Sequence, residues 1–228
     1  VAREHQINAV IGTANGTQVL RDESHVTLSS AEGETGNIYR GLLKYDVKTV
    51  NLDLKEDSSE QKKLMFNVGS PENAFASSLL PNNGVGLARM EFIINNHIKI
   101  HPLALLRLGE PGEKHFVSIL SQGIAKIASA FYPKEVIVRL SDFKTNEYKH
   151  LEGGEEFEPV EENPMIGWRG ASRYYSASYE QAFRMECKAL KYSRETMHMD
   201  NIVVMIPFCR TPEECDKVTS IMASEGLV

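Results

Sequence analysis

Four arginines occupy positions where a guanidinium would be chemically useful. Arg89 closes the apolar run of "GVGLARMEF", Arg139 that of "EVIVRLSDF", and Arg169 and Arg173 lie in the Gly- and aromatic-containing "NPMIGWRGASRYY". Valine-, leucine- and isoleucine-rich runs of this length read as buried strands, and an unpaired charge buried at their ends is costly. Arginine offers a planar fork of donors and stays protonated in a partly dry site, so several guanidiniums converging on one rim suit a phosphate or a carboxylate. A small molecule carrying both groups would satisfy them together. The competing reading, for each arginine taken alone, is a structural ion pair with a nearby acid such as Glu91, Asp142 or Glu147. Repetition at successive strand ends favours the anion site.

Other reactive residue types carry weaker signals. His97 and His101 in "HIKIH" have a spacing that could bind a metal on a helix, but Pro102 follows and no third ligand is obvious, so no metal is expected there. Cys209 falls just past a strand end, where a reactive thiol could be placed, although a buried inert cysteine is the commoner outcome. Trp168, the single tryptophan, is expected to pack under a loop or beside Arg169 rather than to stack on a base. "GVG" and "GTANGT" lack the full spacing of a dinucleotide or P-loop fingerprint and read as turns.

Composition narrows the partners. A chain of 228 residues, 42% hydrophobic and 25% charged, can bury a substantial core. Thirty-one acids against twenty-five bases give a net charge of −6, which argues against a general nucleic-acid or anionic-membrane binder. Any bound anion must be caught locally. The three cysteines, Cys187, Cys209 and Cys215, lack the spacing of a zinc or redox pair and read as free thiols of a reducing compartment. With no uninterrupted apolar run of about 18 residues and no signal-peptide pattern, a soluble cytoplasmic chain is expected. The Val start reads as the middle of something longer.

The elements that must position the arginines follow from periodicity. Residues 7–43 alternate short β-prone runs with Gly, Asn and Asp turn signals, a small β-rich piece. The charged stretch 44–61 reads as an exposed connection and places a domain boundary. Strands are then predicted over 63–69, 84–94, 135–143 and 201–208, and helices over 70–80, 112–132, 179–196 and 211–226; an irregular stretch runs from the third strand to "VEENP". In the second of these helices Phe116, Ile119, Leu120, Ile124, Ile127 and Ala128 recur at three- and four-residue spacing. This alternation indicates an α/β fold with parallel strands and helical crossovers, four βα units that amount to half of an eight-stranded barrel. A fifth strand would be expected where the chain stops. In such sheets, active sites gather at the C-terminal ends of the strands.

Four segments, "LPNNGVGLARMEFII", "FYPKEVIVRLSDFKTNEY", "EENPMIGWRGASRYY" and "VVMIPFCRT", together resemble the phosphoenolpyruvate-utilising enzymes, in the same order and over nearly the whole chain. "VAREHQINAVIGTANGT" with "VTLSSAEGETGNIYRGLL" resembles the end of that family's swivelling phosphohistidine domain. The resemblance implies that residues 1–45 are the C-terminal part of the phosphohistidine domain, 46–62 a linker, and 63–228 the first half of a (β/α)8 TIM barrel that binds pyruvate or phosphoenolpyruvate. It places the phosphorylated histidine a few residues before "VARE" and gives His5 no such role. Arg89 and Arg139 match substrate-binding arginines, and Arg169 an arginine that approaches the phosphoryl group. The family's magnesium ligands and its proton-donor cysteine belong to later strands, so no catalytic or metal-binding residue is expected in this chain; Cys209 lies in the wrong unit. ATP is expected as a substrate of the full enzyme.

"RLSDFKTNEY" favours the water-dependent branch, in which ATP, pyruvate and water give AMP, phosphoenolpyruvate and phosphate through a phosphohistidine relay, over pyruvate phosphate dikinase or the phosphotransferase-system enzyme I. Expected partners are the small-molecule substrate, the remaining domains of the full enzyme, and a second copy meeting this one through the barrel, with no nucleic acid and no membrane. This chain alone is not expected to complete a catalytic cycle. A reading from another class is a stand-alone anion-binding or interaction module that assembles with a second half-barrel, since an unfinished barrel leaves two strand edges open.

Overall fold

Val85, Ala88, Val136, Val138 and Ile202 are shielded from solvent and mark the middle of a parallel sheet. A computed structural model of the chain describes residues 7–20, 25–30, 35–47, 49 and 62–227. His5 and most of the expected linker fall outside the described residues. Two compact units divide the chain, Val1–Ser58 and Ser59–Val228.

The first unit contains the short helix α1 (Gly16–Val19) and a hairpin of β1 (Val26–Ser29) and β2 (Asn37–Arg40), paired antiparallel with Val26 opposite Arg40 and Ser29 opposite Asn37. Thr27 stitches the end of the hairpin. Its hydroxyl donates to the Gly41 carbonyl at 2.8 Å and accepts from the Leu43 amide at 2.9 Å.

The second unit contains β3 (Phe66–Val68), α2 (Ala74–Ser78), β4 (Val85–Arg89), α3 (Met90–Ile93), α4 (Pro102–Leu106) and α5 (Glu110–Phe131). These are followed by β5 (Val136–Arg139), α6 (Thr145–Lys149), α7 (Ala171–Tyr174), α8 (Glu180–Lys191), β6 (Ile202–Met205) and α9 (Pro212–Ser224). The strands lie in the order β3-β4-β5-β6, every neighbouring pair parallel. Each parallel step needs a crossover, and the helices supply it. Sequential order with helical crossovers is the arrangement of a (β/α)8 barrel, of which this α/β unit forms four strands.

Helix α5 has the spacing that puts one face inside. Phe116, Leu120, Ile124, Ile127 and Ala128 are buried on it, with Ile119 half-buried at the margin of the stripe. Burying each large apolar side chain contributes about 1.5–3 kcal/mol. Helix α9 starts where a Thr-Pro signal predicts: the Thr211 hydroxyl accepts from the Glu214 amide at 3.2 Å.

Several boundaries differ from expectation. The predicted strand 84–94 ends at Arg89, and the chain turns helical at Met90, because Met90, Ile93, Ile94 and Ile98 recur at three- and four-residue spacing and all are buried. The strand expected over 63–69 is confined to Phe66–Val68, with Val68 buried and Phe66 half-buried. The helix expected over 70–80 is a tight turn at Pro71–Asn73 followed by α2, and the Ser70 hydroxyl donates to Glu72 Oε2 at 2.7 Å instead of capping the backbone. The irregular stretch after β5 contains α6.

Candidate functional site

Register places the first two arginines side by side. Arg89 is the last residue of β4, Arg139 the last of β5, and the two are direct partners across the parallel ladder. A cavity of about 400 Å³ opens at this edge, lined among others by Arg89, Arg139, Arg169, Glu91, Asp142 and Glu147. A larger hollow of about 530 Å³ in the first unit is walled by Val10, Ile11, glycines and uncharged neighbours. Volume therefore does not single out the site; the convergence of charge does.

The three guanidiniums differ in their surroundings. Arg139 donates through Nη2 to Glu91 Oε1 at 2.9 Å and pairs through Nη1 with Asp142 Oδ2 at 3.2 Å. Arg169 is buried and donates through Nε to Asp142 Oδ1 at 2.9 Å, with Nη1 on the Met165 carbonyl at 3.2 Å and Nη2 on the Asp142 carbonyl at 3.3 Å. Phe208, just past β6, stacks on Arg169 at 4.3 Å from its ring centroid. Arg89 is exposed, and among the described residues no carboxylate lies within ion-pairing distance of it; its guanidinium lies 6.0 Å from the centroid of the Phe92 ring. Thus the ion-pair reading holds for Arg139 and Arg169 with Glu91 and Asp142, and fails for Arg89. Glu147 serves neither arginine, and accepts instead from the Lys144 amide at 2.9 Å.

Arg173 does not join the rim. It is fully buried, with its fork on Glu158 at 2.6 and 2.7 Å and further bonds to the Trp168 carbonyl. Its guanidinium lies 4.0 Å from the Trp168 ring centroid, and the Tyr148 and Tyr179 rings complete the enclosure. Trp168 therefore packs on Arg173, not on Arg169. Burial alone would raise the Glu158 carboxyl, but hydrogen bonds from Arg173 and His101 outweigh it and hold it below the usual carboxylate range. His101, whose spacing from His97 gave no expectation of a metal, is buried 3.0 Å from Glu158 Oε1, whereas His97 lies partly exposed beside Glu72. Cys209 is exposed, so the inert buried outcome does not apply to it.

One buried carboxylate behind the cavity, Glu186, escaped the sequence reading. Glu186 on α8 is fully shielded and accepts from both the amide and the hydroxyl of Ser141, the residue before Asp142. Burial pushes its carboxyl up to about 7, against the lowering effect of the Ser141 hydrogen bonds. Its signal was in the pattern: an acid on the apolar stripe, three residues after Phe183 and four before Leu190, both buried. Glu91 does the same for the next residue, accepting from the Asp142 amide at 2.6 Å. Glu161 ties the Arg169 loop to α6, accepting from the Trp168 amide and the Thr145 hydroxyl, each at 2.8 Å.

Residues 45–227 match the PEP-binding domain of PEP-utilising enzymes. The chain belongs to this family. It is 47% identical to a phosphoenolpyruvate synthase of Synechocystis sp., 49% to one of Deinococcus radiodurans and 46% to one of Escherichia coli. Each match covers 100% of this chain and 30%, 31% and 31% of the respective relative, so the chain spans about a third of the length of the curated relatives it matches. The family also implies magnesium. Among the described residues no group of three or more His, Cys, Asp or Glu side chains could hold a metal ion, and of the carboxylates at the cavity Glu91 and Asp142 are engaged by arginines and Glu147 by Lys144, so these residues do not fit a magnesium site by themselves. No helix among the described residues is long and apolar enough to cross a membrane.

Proposed function

We propose that this chain carries the substrate-binding half-barrel of an enzyme that converts pyruvate, ATP and water to phosphoenolpyruvate, AMP and phosphate through a phosphohistidine relay. The observation that carries the reading is the cavity at the C-terminal edge of the sheet, where Arg89 stands without a counter-ion beside two guanidiniums already oriented by Glu91 and Asp142. Arg89 and Arg139 take the carboxylate and phosphate oxygens, and Arg169 approaches the phosphoryl group from the opposite loop. An arginine that is free but held in register contributes charge-assisted bonds to a ligand without first breaking an internal pair. Arg139 and Arg169, pre-oriented by their acids, lose less side-chain freedom when the ligand arrives.

Residues 1–45 are the end of the phosphohistidine domain, 46–62 the linker, and 63–228 the barrel half; the enzyme is cytoplasmic. Magnesium ligands, the proton-donor cysteine, the phosphohistidine and the ATP site come from outside this chain, which on its own binds but does not turn over. A homodimer through the barrel completes the expected partners. Calorimetric titration with phosphoenolpyruvate tests the reading: saturable binding by the chain, weakened in Arg89→Ala and abolished in the Arg89→Ala, Arg139→Ala double variant, is the expected result. Binding that the double variant retains would place the ligand elsewhere.

A further inference from the structure

The cavity wall contains two polar atoms with nothing to bond. Glu91 uses Oε1 twice, for the Arg139 guanidinium and the Asp142 amide, while Oε2 is buried and without a partner. Among the described residues, Arg139 Nε is also buried and unpartnered. A carboxylate oxygen left this way carries charge without solvation, a costly arrangement that persists when something else relieves it. Only 12% of the Glu91 side chain and 21% of the Arg139 side chain are exposed, so water relieves little. The largest compensation Glu91 has is the charge of Arg139, ahead of the Asp142 amide, and a ligand phosphate or carboxylate would claim that same guanidinium.

We infer that anion binding in this cavity is coupled to protonation of Glu91: the ligand takes over the charge of Arg139, and Glu91 gains a proton at Oε2. This inference rests on the anion-binding reading of the cavity given above. The physical reason is that Glu91 and the ligand draw on the same guanidinium, so once Arg139 is shared its charge opposes the desolvation of Glu91 less, and the acid in the drier place takes the proton. Burial already pushes the Glu91 carboxyl above its ordinary value, with the charge of Arg139 opposing it, so a ligand that dilutes that opposition moves it further in the same direction. The step balances simply. One proton leaves a buffer acid and forms the O–H bond at Oε2, and no other covalent bond changes.

Other groups face the same space. Arg89 comes from β4, Arg139 from β5 and Arg169 from the loop before α7. Asp142 lies between Arg139 and Arg169, and Lys144 and Glu147 sit on the rim. From behind, α7 and α8 bring Tyr174 and Glu186, both within electrostatic range of Glu91. Glu186, which titrates near neutrality, is the main competitor for the proton.

The test is titration of the chain with phosphoenolpyruvate at about pH 8, where the ligand phosphate is already fully ionised, in buffers of different ionisation enthalpy. The expected result is uptake of roughly one proton per bound ligand and an affinity that weakens about tenfold per pH unit. In Glu91→Gln, which keeps an oxygen for Arg139 and the Asp142 amide, ligand still binds and the uptake disappears. Binding without proton uptake in the wild-type chain overturns the inference and leaves the anion site standing. Uptake that persists in Glu91→Gln assigns the proton to another group, such as Glu186, Asp142 or Glu147, and also overturns it. Absence of binding by the folded wild-type chain removes both readings. Should Glu91→Gln fail to fold, infrared difference spectra of the wild-type chain decide: a protonated-carboxyl band appearing on ligand addition supports the inference, and its absence refutes it.

Discussion

Arg89 and Arg139 share a register position but do different work. Among the described residues Arg89 pairs with no acid, so Arg89→Ala should change unfolding free energy in urea by less than about 1 kcal/mol, while losing a charged hydrogen bond to the ligand weakens binding by at least about tenfold. Arg139→Ala removes the partner of two partly or wholly buried carboxylates, and should destabilise the chain by about 1–3 kcal/mol in the same urea titration. Equal destabilisation by the two variants would contradict this division. Glu186 gives a prediction in pH. Its folded value, about 7, lies above the unfolded value of 4.5, so the stabilisation contributed by its protonated form is complete below about 4.5 and is lost as pH rises through about 7. A shift of this size corresponds to about 3 kcal/mol. Urea unfolding followed from pH 4.5 to 7 should therefore show a downward slope in the wild-type chain that Glu186→Gln flattens; an unchanged slope would assign the loss to other groups.

At the level of elements, the parallel alternation was legible because two crossover helices, α5 of 22 residues and α8 of 12, are long enough to show their own period. The α5 stripe and the arginines at the ends of β4 and β5 were read from local spacing alone, and the structure puts both arginines at one cavity. The end of β4 was not legible. "ARMEFII" is apolar enough to continue a strand, and only the burial of Met90, Ile93 and Ile94 on one helical face shows which period wins. Arg173 was misplaced for a related reason: its partner Glu158 is fifteen residues upstream and the histidine on the other side of that carboxylate a further fifty-seven, distances over which local pattern carries no information. Glu186 shows the converse, a signal present in the helical pattern but overlooked. The β4 entry also depends on one glycine. Gly84 has φ +116°, and a Cβ there would lie 2.3 Å from the Glu135 carbonyl oxygen, the atom that accepts the Val85 amide at 2.8 Å and starts the β4–β5 ladder. Gly84→Ala should cost about 1–3 kcal/mol from backbone strain alone, with more from the clash, read as a lowered urea midpoint; a midpoint within error of the wild type would mean the ladder starts elsewhere.

Across the second unit as a whole, the sheet has two outer strands. Among the described residues β3 and β6 each pair on one side only, and an open strand edge is a template for another chain. The two differ in what they offer. Along β6, Val203 and Met205 are 41% and 42% exposed and, two residues apart, lie on the same face, with the exposed Phe208 just beyond. In a completed barrel this edge would meet the next strand; in a stand-alone module it would meet a second half. The two readings of the chain thus converge on one physical expectation, that β6 associates when concentration allows. Sedimentation velocity should show a concentration-dependent dimer, and replacing Val203 and Met205 together by lysine should weaken it by at least about tenfold, because like charges facing each other across a strand pair are destabilising. Phosphoenolpyruvate binding separates the causes: a Val203→Lys single variant should keep it, since Val203 pairs with Ile137, two residues short of Arg139 and the cavity, whereas Met205 is the direct partner of Arg139. A chain that stays monomeric at every concentration would leave the stand-alone module without its assembling surface and keep the half-barrel's edge for the rest of the enzyme.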